Sequence, residues 1–208
     1  MDDGDLLERW RAGDRHAGQE LVKRHYDALF MFLWGKLDEQ TSADLTQDTF
    51  ETLCAGADRF RGDSSVRTYL FGIARWKLVN HLRRVQKNRE RFDPMHDGID
   101  VELTERSMTS LFARREQEAL LVRGLRSLPL DDQLLLELKE YEHLPARELA
   151  EIFGVPQGTM AGRIARARER LRQAVEGIAG SESAAEQASQ GLDSYFRGLR
   201  EVAREVAG

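Results

Sequence analysis

The chain has 208 residues, 41% apolar and 32% charged, with a formal net charge of -5, which suits one domain or two small helical ones with large surfaces. A lone cysteine, Cys54, excludes a disulfide framework, and no run reaches the roughly 18 apolar residues of a membrane span. The acidic start MDDGDLLERW lacks the basic-then-apolar layout of a signal peptide, so a reducing, cytoplasmic setting without membrane insertion is expected.

Asp5 as a cap, with Leu6, Leu7 and Trp10 at helical spacing, predicts a short first helix that Gly13-Asp14 ends. A second helix is predicted from about His16 to Lys36, with Leu21, Val22, Tyr26, Leu29, Phe30, Leu33 and Trp34 on a wide apolar stripe. Thr41 or Ser42 begins a third. Its Leu45, Thr49, Phe50 and Leu53 face inward, and its Asp44, Gln47, Asp48 and Glu51 form an acidic outer face. Cys54, in the same run, reads as a small buried hydrophobe. Arg61 to Ser65 is a turn, with Ser64 or Ser65 capping a helix from Val66 to about Arg89. Val66, Leu70, Ile73, Ala74, Leu78 and Leu82 pack inward there, leaving Arg67, Arg75, Lys77, Arg83, Arg84 and Lys87 for the surface. These elements make a first helical domain over residues 1–91.

The net charge conceals a focused one. Between Arg59 and Arg91 ten Lys/Arg stand against Asp63 and Glu90, interleaved with Phe60, Tyr69, Phe71 and Trp76. Concentrated positive charge among aromatics suits a polymer offering phosphates and stackable bases. Composition alone also allows a cationic amphipathic helix solvated on one side.

Periodicity fades over residues 92–110, where Asp93-Pro94 and Asp97-Gly98 mark a linker. Helical patterning resumes at Leu111 and runs through Leu121, Val122 and Leu125; Leu128-Pro129 ends that helix and starts another, DDQLLLELKEYEH. Asp131-Asp132 read as helix-start charges. Pro145 stands in the first turn of a short helix burying Leu149, Ala150, Ile152 and Phe153. Gly154-Val155-Pro156 turns the chain into a helix from about Gln157 to Val175 bearing Arg163, Arg166, Arg168, Arg170 and Arg172. This is a helix-turn-helix layout, whose second helix presents its N-terminal end to the major groove. Gln157, Thr159, Met160 and Arg163 are then placed to meet bases or flanking phosphates, with Arg166 and Arg170 for backbone contact. A helical hairpin with a basic exposed face is the alternative. The second domain spans residues 111–176. Residues 177–208 combine a Ser/Ala/Gly/Gln-rich tether with a terminal stripe of Leu192, Tyr195, Phe196, Leu199, Val202 and Val206.

No catalytic constellation emerges. His16, His25, His81, His96 and His143 lack metal-ligand spacing, Cys54 has no zinc partner, and there is no phosphate-binding glycine loop. The expectation is a non-enzyme with no cofactor and no metal.

The order of these motifs resembles the small two-domain bacterial sigma factors of the extracytoplasmic-function group. DLLERWRAGD, LVKRHYDALFMFLW, DLTQDTFETL and FRGDSSVRTYLFGIARWKLVNHLRR match their promoter-melting domain, and LRSLP with ELAEIFGVPQGTMAGRIARARERLR their −35-reading domain. The resemblance implies an all-α fold of two helical domains on a flexible linker, with core RNA polymerase and promoter DNA as partners. It assigns Asp44, Gln47, Asp48, Phe50 and Glu51 to polymerase. It assigns Phe60, Arg61, Arg67, Tyr69, Arg75, Trp76, Lys77, Asn80, His81, Arg83 and Arg84 to the −10 element. Gln157, Thr159, Met160, Arg163, Arg166 and Arg170 fall to the −35 element. It also implies restraint, by an anti-sigma factor; the resemblance does not reach the tail, whose residues 192–206 are the alternative restraint, packed over a binding face of one domain. Three departures stand out: Ala161-Gly162 in place of the family's usual Lys-Ser, Asp131-Asp132-Gln133 in place of commoner basic residues, and Asn80-His81 in place of Asp-His. Lost phosphate contacts weaken −35 binding. A stand-alone helix-turn-helix regulator and a sigma-like adaptor without promoter reading are the rival functions.

Overall fold

The computed structural model describes residues 1–56, 60, 62, 64–92 and 116–179. All the elements described are α-helices: α1 Asp3–Arg11, α2 Arg15–Trp34, α3 Glu39–Ala55, α4 Val66–Phe92, α5 Glu116–Arg126, α6 Leu130–Glu140, α7 Ala146–Phe153 and α8 Gln157–Ala179. The chain divides into two compact units, Met1–Glu105 and Arg106–Gly208. The linker expected over residues 92–110 and the stripe at residues 192–206 lie outside the described residues, Phe92 apart.

In the first unit, α1, α2, α3 and α4 pack around one core. Asp2, three residues ahead of the expected cap, closes α1: its carboxylate accepts from the Asp5 backbone N–H at 2.8 Å, and Asp5 completes a capping box. Asp14 caps α2 by accepting from the N–H groups of His16 and Ala17. Asp3 ties the first two helices together, with its carboxylate 2.7 Å from His25 Nε2 and 3.1 Å from Arg24 Nη1. Trp10 crosses α2 at Gly18, where a Cβ would sit 2.6 Å from the indole; glycine is what lets the two helices approach.

The inner face of α3 is built from small polar residues. Ser42, Thr46 and Thr49 are fully buried, and each hydroxyl donates to the carbonyl four residues back, to Asp38, Ser42 and Leu45 respectively, at 2.7 Å. That bond satisfies each hydroxyl within the helix itself. The stripe is therefore narrow and desolvated at little cost, and α3 lies close against α2 and α4. Leu45, expected inside, is only half-buried because this hydroxyl stripe holds the inward phase. Cys54, also expected inside, is exposed: it follows buried Leu53 on the outward side of α3.

Ser65 caps α4, its Oγ accepting from the Thr68 N–H at 3.0 Å. Val66, Leu70, Phe71, Ala74, Leu78 and Leu82 are buried along α4, and Phe71 meets Phe32 of α2 edge-on at 5.5 Å between centroids. Ile73, expected inside, is half-buried; Phe71 takes the inward place instead.

The second unit packs α5, α6 and α7 against α8. Pro145 occupies the N-cap position of α7 and not its first turn. Gly154 supplies the left-handed turn between α7 and α8 at φ 63°. Met160, Ile164, Ala167, Leu171 and Val175 form the buried face of α8. Gln133, 5% exposed, donates to the carbonyls of Leu128 at 2.8 Å and Arg126 at 3.2 Å, so a buried amide closes the end of α5.

Asp38, not Thr41 or Ser42, caps α3: its carboxylate accepts from both the Thr41 N–H at 2.9 Å and the Thr41 hydroxyl at 2.7 Å. The Thr41 backbone bond first, and its hydroxyl second, hold the Asp38 carboxyl below its ordinary value. A depressed pKa contributes stability above the unfolded value, lost as pH falls through the folded one. Asp38→Ala is expected to lower stability by about 1 kcal/mol near neutrality. The gap between variant and parent should narrow below about pH 4, as read from urea midpoints.

Candidate nucleic-acid interface

Packing of α4 decides which of its side chains reach solvent. Arg83, Arg84 and Lys87 are exposed, Asn80, His81, Arg67 and Arg75 are half-buried, and Trp76 is 61% exposed. Positions 76, 80, 83, 84 and 87 recur at helical spacing and share one strip. Near the start of the helix, the rings of Phe60 and Tyr69 lie 5.3 Å apart at 55°, and the Arg67 guanidinium sits over the Phe71 ring at 5.7 Å. Cations thus share the outer surface with Trp76 and, in part, with Phe60 and Tyr69, while Phe71 stays buried beneath Arg67. Arg61 lies outside the described residues.

Lys77 departs from this picture. Its side chain is 9% exposed and its Nζ lies 2.6 Å from the Asp48 carboxylate of α3, which is itself 52% exposed. Position 77 neighbours buried Leu78 at the seam with α3, so the stem is covered and the ammonium neutralises an acid. Its assignment as an outward DNA contact is corrected accordingly.

Across that seam, Asp44, Gln47, Asp48 and Glu51 are all exposed on α3. Gln40 donates to Asp44 at 2.9 Å and Gln47 to Glu51 at 2.8 Å, side-chain pairs four residues apart. Phe50, grouped with them by the resemblance, is 5% exposed and belongs to the core beneath this face, as its helical spacing predicts. Helical phase places it with Thr46, Thr49 and Leu53. Any influence it has on a docking partner passes through the position of α3.

On α8, Gln157, Thr159, Arg166 and Arg170 are exposed and Arg163 is half-buried. Met160 is 0% exposed and cannot meet a base; it opens the buried stripe shared with Ile164. The arginines are largely spoken for. Arg163 sits over the Phe153 ring at 5.6 Å, and its Nη2 is 3.9 Å from the Asp131 carboxylate. Arg168 pairs with Glu140, Arg170 with Asp132, and Arg172 with Glu169 at 2.6 Å and with Glu176. The Arg172 bond, followed by that from Gln173, lowers the Glu169 pKa. Of the five arginines on this helix, Arg166 alone has no acidic partner among the described residues.

Asp132 is therefore more than a helix-start charge: it is 6% exposed and held against α8. The pairings escaped sequence reading because their partners lie 28 and 38 residues apart, with no local spacing to betray them. Among the described residues no group of three His, Cys, Asp or Glu side chains can hold a metal ion, and no helix is long and apolar enough to cross a membrane.

Neutralising Asp131 and Asp132 together with Asn frees Arg163 and Arg170 from their acids. The D131N/D132N chain is expected to bind duplex DNA more tightly than the parent. The slope of log affinity against log salt should steepen by about one for each arginine that then reaches a phosphate. Salt-titrated fluorescence anisotropy measures it.

Comparison with known proteins agrees with this geometry. Residues 21–94 match the model of Sigma-70 region 2 and residues 118–171 that of Sigma-70 region 4. The chain is 33% identical over 185 residues to the RNA polymerase sigma-H factor of Pseudomonas aeruginosa, covering 84% of this chain and 94% of that protein. It is 30% identical over 179 residues to the ECF RNA polymerase sigma-E factor of Escherichia coli, covering 82% and 93%. Among solved structures, the sigma factor RpoE in complex with the anti-sigma factor NepR from Bartonella quintana matches with a TM-score of 0.61 at 21% identity, covering 76% of this chain and 96% of that one. CnrH in complex with the cytosolic domain of CnrY matches with a TM-score of 0.58 at 22% identity, covering 84% and 97%.

Proposed function

Because this chain belongs to the sigma-70 family, in its extracytoplasmic-function group, and so acts as a promoter-specificity factor in transcription initiation, we propose a division of labour among its faces. The exposed Asp44, Gln47, Asp48 and Glu51 face of α3 docks on core RNA polymerase. The strip of α4 running from Trp76 through Asn80 to Arg83 and Arg84, with Phe60, Tyr69, Arg67, Arg75 and His81 around it, holds the opened −10 strand. Gln157, Thr159, Arg163, Arg166 and Arg170 of α8 meet the −35 duplex. The domains are residues 1–91 and 111–176, joined by residues 92–110. The chain works in the cytoplasm and does no covalent chemistry of its own.

The observation that carries this reading is the sorting of charge across one packed seam, acid outward on α3 and cation outward on α4. Energetics agree with it. Unpairing costs a few kcal/mol per step, and base–aromatic stacking returns about 1–3 kcal/mol per base before phosphate attraction is added. The −35 contact is weak, because Arg163 and Arg170 must leave Asp131 and Asp132 before they can bind phosphate. Most of the promoter affinity then comes from α4, and only once polymerase holds both domains on the same DNA.

Restraint of such a factor falls to an anti-sigma protein, the kind of partner named for the RpoE structure, or to residues 192–206. One assay examines both levels: run-off transcription with purified core polymerase from a promoter this chain directs. The parent should initiate specifically. Arg83→Ala with Arg84→Ala should reduce initiation at least tenfold while core binding persists. A chain ending at Gly180 should be more active if residues 192–206 restrain it, and unchanged if restraint is external. Failure of the parent to bind core would contradict the proposal, and tight specific duplex binding without polymerase would favour a stand-alone regulator.

A further inference from the structure

The outer face of α3 is not uniformly acidic. Asp44 and Glu51 each accept a bond from a neutral amide, Gln40 at 2.9 Å and Gln47 at 2.8 Å. Neither meets a cation among the described residues. Asp48, which lies between them in sequence, does: the Lys77 ammonium reaches it across the seam at 2.6 Å. A partner approaching this face finds two open carboxylates and, between them, one whose charge is already answered.

The pair is lopsided. Lys77 is covered, while Asp48 is half-exposed, so a cation arriving from solvent can reach the acid but cannot move past it to displace the base. The same ammonium lies 5.9 Å from the centre of the Trp76 ring, a second hold on its position. An ammonium carries donors and no acceptor, so Lys77 has no way to turn a friendly side toward another cation. Behind the exposed edge of Asp48 stands a fixed positive charge, shielded from the salt that screens charges in open water. An acidic docking face calls for a basic partner surface, and this charge repels it.

We propose that Lys77 is a counter-charge built into the polymerase-docking face: it cancels Asp48 and holds the affinity for core below what the α3 carboxylates alone would give. Lys77 is a brake on docking, not a contact for it. The proposal rests on the assignment of α3 to polymerase, and it adds to that face a residue of α4 that weakens it. Charges of this kind act through diffusional encounter, so the brake slows the approach to core more than it hastens departure.

The test measures binding of the full chain to core polymerase without DNA, by stopped-flow fluorescence and by equilibrium titration at low salt. Lys77→Met keeps the length and apolar cover of the stem and removes the charge. It should tighten binding about threefold to fivefold, chiefly through faster association. The gain should vanish in about 1 M salt, where the screening length falls to about 3 Å. Lys77→Gln, which still donates to Asp48, should show the same gain, and Lys77→Arg should bind as the parent does. Lys77→Met combined with Asp48→Asn removes both charges and should return the affinity to that of the parent. Damage to packing weakens binding, so a gain is a result that a merely structural role of Lys77 does not produce.

Affinity no better than the parent's in both Lys77→Met and Lys77→Gln would overturn the brake, as would a gain that survives high salt or the added Asp48→Asn. Asp44→Asn tells the two levels apart, since it should weaken core binding in every background. If it binds core as the parent does, the α3 assignment itself falls, and the brake with it.

Discussion

The first unit depends on the burial of one stripe of α4, namely Leu70, Phe71, Ala74, Leu78 and Leu82, against the helices that precede it. Burying a Leu or Phe side chain is worth about 1.5–3 kcal/mol, whereas a solvent-exposed ion pair contributes about 0–1 kcal/mol. The apolar stripe therefore sets the rotation of α4, and the charges take the positions that remain. Arg83, Arg84 and Trp76 are outward as a consequence of Leu78 and Leu82 being inward. On α3 the same role falls to Ser42, Thr46 and Thr49, whose internally bonded hydroxyls let the helix settle closely and turn Asp44, Gln47, Asp48 and Glu51 out. Asp48 and Lys77 then meet at the seam, where an ion pair joins the acidic and cationic surfaces.

The second unit applies the same rule to a different end. Its α8 buries Met160, Ile164, Ala167, Leu171 and Val175 and turns its arginines out, but acids on neighbouring elements or on α8 itself meet most of them. A recognition helix whose cations are already paired offers less to phosphate and loses less to salt. The two units divide the work unequally. The first presents exposed positive charge along the strip that carries Trp76, and the second presents a shaped helix with its field largely cancelled. Net charge conveys neither feature.

Much of this was legible in the sequence because it is periodic. The helices of the first unit, the buried positions Val66, Leu70, Ala74, Leu78 and Leu82, and the Gly154 turn follow from spacing and local chemistry alone. So does the acidic outer face of α3. The misses have physical causes. Asp2 and Asp38 displaced the expected caps because several acids and hydroxyls crowd each helix start, and only the chain path selects among them. Met160 was placed at an interface by the helix-turn-helix layout, and Phe50 by resemblance against its own inward spacing, although the helical phase buries both. Lys77 was read as a surface charge, and Asp132 only as a helix-start charge, because each finds its partner on another helix.

The central claim is that one packed seam presents polymerase with α3 and DNA with α4. Site-specific photo-crosslinking from positions 47 and 84 tests it most directly, with core polymerase and forked promoter DNA present or withheld. Position 47 should crosslink to polymerase whether or not DNA is there, and position 84 to the opened DNA strand only when polymerase is there. Crosslinks from position 84 to polymerase in place of DNA, or from position 47 to DNA, would contradict the account.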